Sequence, residues 1–74
     1  MYLVDLKVGE EGIVQFVDGC YNFRLRMKEL GIIEGNNIKI VSGDKEHGPV
    51  LISVNGNKFG IGRGVVNKIL IKDY

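Results

Sequence analysis

Cysteine and histidine, which serve as metal ligands and in nucleophilic catalysis, occur once each in this sequence, as Cys20 and His47, and the other candidate ligands are scattered carboxylates. Neither belongs to a C-x-x-C or H-x-x-x-H pair, so the sequence contains no familiar metal-ligand spacing. Cys20 precedes a predicted helix, where a thiol can be reactive, and Asp44 is near His47 in the sequence. No residue is clearly placed to orient the imidazole, so we predict a small packed thiol and a loop histidine. We expect no catalytic residue, no metal ligand and no cofactor.

A glycine-rich segment, residues 60–64, superficially resembles a phosphate-binding loop, because it follows a predicted strand and opens a helical turn. A dinucleotide-binding fingerprint requires a βαβ unit with an acidic residue about 20 positions later, and a P-loop requires G-K-[ST]. The sequence contains neither pattern. We predict instead a sharp structural corner at Gly62 and Gly64, with Arg63 either solvated or donating hydrogen bonds to nearby carbonyls.

Basic residues cluster once, on the predicted helix, at Arg24, Arg26 and Lys28, with Glu29 beside them. Binding of nucleic acid by a small barrel requires a basic groove with aromatic side chains for base stacking. Here ten Lys and Arg residues are interleaved with nine acidic residues, and the net charge is only +1. The sequence therefore predicts no nucleic-acid partner, and the cluster is either a solvated helix face or a protein-binding surface.

Size and composition exclude several classes of protein. The chain has 74 residues, of which 45% are hydrophobic and eleven are glycine, which favours one small domain over residues 1–74 with many tight turns. So small a domain has little interior to spare for a catalytic cleft, and we predict that it is not an enzyme. No apolar run approaches the roughly 20 residues of a membrane span, so no direct membrane insertion is expected. A single cysteine and an N-terminus without a signal-peptide pattern predict a cytoplasmic protein.

β-branched and aromatic residues, alternation and turn signals predict five short strands, and apolar residues at i, i+4 and i+7 predict one helix. The predicted strands are residues 13–17, 37–42, 50–54, 57–61 and 68–72, and the predicted helix is residues 21–30. A small, strongly bent sheet that wraps into a barrel is the natural arrangement for such strands. Ahead of the first strand, a short lead-in is predicted to dock on the core through Leu3, Leu6 and Val8.

The predicted helix has signals at both ends. Its apolar stripe consists of Phe23, Met27 and Leu30. Asp18 or Asn22 is expected to cap the N-terminus. Gly31 is at the position where a left-handed residue commonly ends a helix, and Ile32 is then expected to fold back on the last turn.

The clearest local signal is a hairpin between the third and fourth strands. These strands are separated by Asn55 and Gly56, and a two-residue type I′ turn needs positive φ at both positions, which these residue types tolerate. Gly35 marks a second predicted turn, in the connection between the helix and the second strand.

Several segments together resemble the ferrous iron transport protein A family (FeoA). Residues 26–35, RMKELGIIEG, are similar to that family's R-L-x-x-L-G-[ILM]-x-x-G segment. The other similar segments are Leu3-x-x-Leu6-x-x-Gly9, Gly48-Pro49, Asn55-Gly56, and Ile61-Gly62-Arg63-Gly64-Val65-Val66 before Ile69-Leu70-Ile71. Met27 replaces the usual leucine and keeps its core role, while Val65 and Val66 stand where the family often has a small residue. The resemblance covers nearly the whole chain.

The resemblance implies an SH3-like, five-stranded β-barrel with one inserted α-helix. It also implies a non-catalytic cytosolic accessory of bacterial ferrous iron uptake that interacts with the membrane ferrous iron permease FeoB, which has a GTP-binding domain. The family has no catalytic residues to transfer to this chain. The same barrel is the C-terminal domain of iron-dependent repressors, so a metal-responsive regulatory domain is one alternative, and a small nucleic-acid-binding barrel is another.

An accessory protein of this kind requires a partner surface. We expect that surface on the exposed side of the helix, at Arg24, Arg26 and Lys28, together with the corner at Arg63, because the sequence offers no other distinctive exposed charge. An ordinary solvated face is the alternative interpretation of the same residues.

Overall fold

The computed structural model describes residues 1–44 and 46–72. Its elements are a 3₁₀ helix over Leu3–Asp5, β1 over Glu11–Val17, α1 over Tyr21–Glu29, β2 over Asn37–Gly43, β3 over Val50–Val54, β4 over Asn57–Ile61, α2 over Arg63–Val66 and β5 over Ile69–Ile71. Every predicted strand and helix is present, with boundaries that differ from the predicted ones by at most two residues. The domain predicted over residues 1–74 also includes positions 45, 73 and 74, which lie outside the described residues.

All five strands belong to one antiparallel sheet, in the order β4-β3-β2-β1-β5. α1 lies in the connection between β1 and β2, so the predicted mainly β fold with an inserted helix is confirmed. Closure of the barrel is incomplete, because no ladder joins β4 to β5 within the described residues. The N-terminus instead covers the outer edge of β5, where Tyr2 bridges Leu70 and the Ile71 N–H donates to the Met1 carbonyl at 2.6 Å.

Strand alternation builds the hydrophobic core. In β3 every second side chain is buried and the side chains between them are partly exposed, which is the period-2 pattern of a sheet with one solvated face. Leu3 and Leu6 are buried, as predicted. The prediction for Val8 is wrong, since its side chain is 58% exposed; it lies in the turn that leads into β1 rather than against the sheet.

A Schellman motif ends α1. Gly31 has a φ of +90°, left-handed backbone that glycine adopts without steric cost. The Gly31 N–H donates to the Lys28 carbonyl at 3.0 Å, and the Ile32 N–H donates to the Met27 carbonyl at 2.9 Å. These two bonds satisfy carbonyls that a helix end otherwise leaves without partners. Ile32 folds back as predicted and is almost completely buried.

The predicted cap at the other end of α1 is wrong. The N-cap residue is Cys20, whose side chain makes no capping hydrogen bond. Asn22 is already the second residue of the helix. Asp18 is two residues too early, and its N–H is bonded to the Lys68 carbonyl at 2.7 Å, which keeps it at the end of the β1–β5 ladder. Neither predicted residue therefore occupies the capping position.

The predicted apolar stripe of α1 is only partly buried. Met27 is 5% exposed, and Phe23 packs against the core while staying partly exposed. Leu30 is 39% exposed, because the helix ends at Glu29 and the chain turns at Leu30. The buried position after the helix belongs instead to Ile32.

The β3–β4 hairpin is confirmed. Asn55 and Gly56 have φ values of +52° and +82°, as a type I′ turn requires. The ladder that follows is unbroken over five residue pairs. The turn predicted at Gly35 is also present, with a φ of +93°.

At the corner before β5, Gly62 and Gly64 do not have the special backbone conformations that were predicted for them. Gly62 is the N-cap of α2 with a φ of −78°, and Gly64 lies within α2. A Cβ at either position would meet no heavy atom within 4 Å outside its immediate chain neighbours. The helical turn α2 makes this corner, and neither left-handed nor crowded backbone requires these two glycines.

Alanine substitutions at Gly31 and Gly64 should have opposite effects on stability. In Gly31→Ala, the left-handed backbone should cost about 1–2 kcal/mol of unfolding free energy, and the new Cβ would lie 3.3 Å from the Cγ1 of Val54. In Gly64→Ala, a helical position with open space should gain about 0.5–1 kcal/mol. Urea unfolding followed by circular dichroism measures both. Equal stability of the two variants would contradict the Schellman assignment.

Candidate interaction groove

The end of β1 departs from regular alternation, and this exposes Phe16. In the β1–β5 ladder the register shifts between Val14 and Phe16, so that Gln15 is an additional residue on β1. A β-bulge of this kind reverses the faces of the side chains beyond it. Val14 and Val17 are consequently buried, whereas Phe16 is 49% exposed. Regular alternation from Val14 would have turned Phe16 inward.

One face of α1 lines the same groove as Phe16. The residues on that face are Tyr21, Arg24, Leu25 and Lys28. Their spacing of i, i+3, i+4 and i+7 is that of one continuous helix face. Tyr21 is 71% exposed and Leu25 is 41% exposed. This part of α1 therefore presents apolar and cationic groups together to solvent.

The segment after the helix forms a second wall of the groove. Ile33 and Glu34 line the groove from this segment, and the buried residues Val17 and Ile32 line it as well. The groove is open to solvent and has a volume of about 350 Å³. β1, α1 and the α1–β2 connection thus each contribute to one concave surface.

Exposed apolar side chains are concentrated in this groove. Among the described residues, eight large hydrophobic side chains are exposed, and half of them line it: Phe16, Tyr21, Leu25 and Ile33. Single exposed hydrophobic residues are ordinary, but a contiguous group marks an interaction site.

Two cations on the α1 wall have no bonded counter-charge among the residues that the structure describes. Arg24 and Lys28 are four residues apart on the helix, and such a like-charge pair costs about 0.2–0.5 kcal/mol. Neither side chain forms an ion pair or a hydrogen bond with any residue in 1–44 or 46–72. Glu34, on the other wall, is the one acidic residue among the described residues that line the groove. The cationic wall is therefore available to an external anion.

Only two of the four residues predicted as a partner surface lie in the groove. Arg24 and Lys28 line the groove, whereas Arg26 does not, because two residues rotate it about 200° around the helix from Arg24. Arg63 lies at the corner before β5, where its Nη1 donates to the Glu46 carbonyl at 2.6 Å. Phe16, Tyr21, Leu25 and Ile33 were not predicted from the sequence. The i, i+4 spacing of Tyr21 and Leu25 was the one available signal, because it puts them on the helix face of Arg24 and Lys28.

Cys20 and His47 are both exposed. The predicted packed thiol is wrong, because Cys20 is the N-cap of α1 and precedes the residues that face the core. His47 lies in the loop between β2 and β3, as predicted, and Cys20 does not belong to the group of potential ligands around it.

That group consists of Asp44, Glu46 and His47, whose potential metal-ligand atoms all lie within 4.8 Å of one another. All three side chains are exposed. Hydrogen bonds within the loop account for the arrangement. The Asp44 carboxylate accepts from the Glu46 N–H at 2.9 Å, as in an Asx turn, and lies 2.7 Å from the His47 Nδ1. The spacing D-x-E-H matches no familiar ligand motif, so the group was not predictable from the sequence.

The pKa of Asp44 should lie below the ordinary value for an aspartate. The Glu46 N–H is the largest cause, followed by the His47 side chain, and both favour the charged carboxylate. The resulting contribution to stability is present above the unfolded-state pKa and is lost as the pH falls through the folded-state pKa. NMR titration of the carboxyl carbon measures this directly. His47→Ala should restore the pKa only in part; an ordinary or raised pKa in the wild-type chain would contradict the loop geometry.

Both the sequence and the fold of this chain are similar to those of known proteins. The sequence model of the FeoA domain matches residues 1–73. A candidate Fe(2+) transport protein A of Methanocaldococcus jannaschii is 37% identical over 67 residues, which are 90% of this chain and 79% of that protein. A crystal structure of an iron uptake regulatory protein, FeoA, is 29% identical with a TM-score of 0.89, covering 97% of this chain and 95% of that one.

Two further likenesses concern the fold alone. FeoA of Stenotrophomonas maltophilia, described as a prokaryotic SH3 domain protein and crystallised with zinc, is 24% identical with a TM-score of 0.83. The matched region covers 97% of this chain and 89% of that protein. A manganese-dependent transcriptional repressor is 15% identical with a TM-score of 0.82, over 96% of this chain and 40% of the repressor.

The family match spans almost the whole chain, and the relative from Methanocaldococcus jannaschii is similar over nine-tenths of it. The fold superposes on two FeoA structures, one of which is described as an SH3 domain protein. The chain therefore belongs to the FeoA domain family and has its SH3-like fold.

Proposed function

We propose that this chain is a non-catalytic accessory protein of ferrous iron uptake that acts by binding the membrane ferrous iron permease FeoB. Family membership and the Fe(2+) transport relative support the link to ferrous iron. The observation that carries the proposal is the groove, which combines exposed aromatic and aliphatic side chains with an arginine and a lysine. Aromatic residues and arginine are enriched where proteins bind one another.

The charges of the groove favour a protein partner over the iron itself. Arg24 and Lys28 would repel a divalent cation at the α1 wall. The apolar side chains of Phe16, Leu25 and Ile33 supply no ligand atoms. A surface of this composition suits a protein segment, which brings its own apolar groups and carboxylates.

Binding to the permease would place the chain at the cytoplasmic face of the membrane. Within the described residues, no helix has both the length and the apolar character that crossing a bilayer requires. Membrane association through the partner is part of this proposal. The partner surface proposed here is confined to the groove, so that of the four predicted basic residues it includes Arg24 and Lys28.

Deletion and complementation test the accessory role. Removing this chain from cells that depend on the permease should lower the rate of ⁵⁵Fe(II) uptake, and a plasmid copy should restore it. The affinity-tagged chain should also retain the detergent-solubilised permease, and should not retain an unrelated membrane protein. Unchanged uptake after deletion, together with no co-purification, would reject the proposal.

Charge reversal tests which face of α1 meets the permease. Arg24→Glu with Lys28→Glu should weaken permease binding about tenfold, since each reversal at an interface turns an attraction into a repulsion. Arg26→Glu is the matched control, because it reverses a charge on the same helix outside the groove lining. Biolayer interferometry on the solubilised permease measures the affinities. Unchanged binding and iron uptake in the double variant would exclude this face.

A metal-responsive regulatory domain is a second candidate, supported by the fold shared with the manganese-dependent repressor. At 15% identity that likeness concerns the fold alone. Calorimetric titration of the isolated chain with Fe(II) and with Mn(II) separates the two candidates. Tight stoichiometric binding would favour regulation, and weak or absent binding would favour the accessory role.

A further inference from the structure

The groove is shaped for side chains of a protein segment. Its volume of about 350 Å³ is near the lower end of the roughly 300–1,000 Å³ of small-molecule sites. Its apolar walls are only half covered, since Phe16 is 49% exposed and Leu25 is 41% exposed. One or two apolar side chains of an incoming segment would fill the space and complete the burial of these walls.

The groove is electrically asymmetric, and this defines the charge of its occupant. Arg24 and Lys28 stand on the α1 wall, and Glu34 stands on the other. The two cations are one helical turn apart, with about 5–6 Å between their Cβ atoms. Two carboxylates have a similar spacing when they lie one turn apart on a helix or two residues apart on an extended segment. Carboxylates on that side would also relieve the like-charge repulsion within α1.

Hydrogen bonds hold the second wall in place before anything binds. The Gly35 N–H donates to the Val14 carbonyl at 2.8 Å, and the Asn36 Nδ2 donates to the Gly31 carbonyl at 2.7 Å. The two residues directly after Ile33 and Glu34 are thus bonded to β1 and to the end of α1. Little ordering is required on binding, so little affinity is lost to it.

We infer that the groove binds an acidic, amphipathic segment of a protein partner, in which aliphatic or aromatic side chains enter between Phe16, Leu25 and Ile33 and carboxylates face Arg24 and Lys28. The inference rests on the proposed function for the identity of that partner, since it places the segment in the permease.

Single-stranded nucleic acid is the competing class of occupant. Phe16 and Tyr21 could stack on bases, and the two cations could contact phosphates. Leu25 and Ile33, however, are aliphatic, and Glu34 would repel a phosphate backbone. The net charge of the chain is only +1. These features favour the peptide.

Selection from a random library of twelve-residue peptides displayed on phage tests the chemistry without the permease. The selected peptides should contain aliphatic or aromatic residues together with at least two Asp or Glu. In ¹⁵N-labelled chain, the synthetic peptides should shift the amide signals of Phe16, Leu25, Lys28 and Ile33. Replacing their acidic residues by lysine should abolish binding.

Matched substitutions locate the site. Leu25→Ser should weaken the selected peptides about tenfold, and Leu30→Ser is its control, since Leu30 has nearly the same exposure, 39% against 41%, and lies outside the groove lining. Both side chains are exposed, so both variants should keep the wild-type NMR spectrum. Equal effects of the two variants would overturn the assignment.

The outcomes separate the inference from the proposed function. The inference would be overturned if the selected peptides are basic or uncharged, shift signals elsewhere, or never bind the groove. It would also be overturned if a deoxythymidine decamer or a second copy of the chain occupies the groove. Permease binding that survives Leu25→Ser would also overturn it while leaving the accessory role intact. Acidic peptides in the groove without any permease binding would support the inference and reject the proposed partner.

Discussion

β1 pairs with two strands in succession, and the rest of the molecule depends on that change of partner. Its first residues pair with β2, its last residues pair with β5, and the bulge at Gln15 lies within the second ladder. A second register shift, at Val41, bends β2 against β3. Bulges increase local twist, so the short strands coil around one core. Because the bulge in β1 also turns Phe16 outward, the curvature of the sheet and the exposed wall of the groove have the same origin.

The helix packs against the core mainly through its C-terminal end. Only Met27 of α1 is buried, and the Schellman motif then brings Ile32 into the core. The residues that follow return directly to β1, where Asn36 and Gly35 bond to Val14. The helix is therefore held beside β1 with one face uncovered, which is the geometry that a binding groove requires.

The sequence predicted the elements well because their signals are local. Alternation located the strands, Asn55-Gly56 located the hairpin, and Gly31 located the end of the helix. The errors concern residues whose environment depends on distant parts of the chain. No local pattern shows that β1 contains a bulge, so the exposure of Phe16 was not predictable, and the groove needs three separate segments to be positioned first. Charge clustering found Arg24 and Lys28 together with Arg26. Helical spacing puts Arg26 on another face, but which face lines a groove depends on how the helix packs.

The short N-terminal segment has a consequence for how copies of this chain meet. Tyr2 bridges Leu70, and the Met1 carbonyl accepts from the Ile71 N–H, so both residues lie along the outer side of β5. This edge is therefore shielded from the addition of a foreign strand. The opposite edge, β4, is only five residues long and carries Lys58, and short charged edges also discourage strand addition. The fold is thereby protected from edge-to-edge aggregation at both ends of its sheet, and recognition is left to side chains rather than to the backbone.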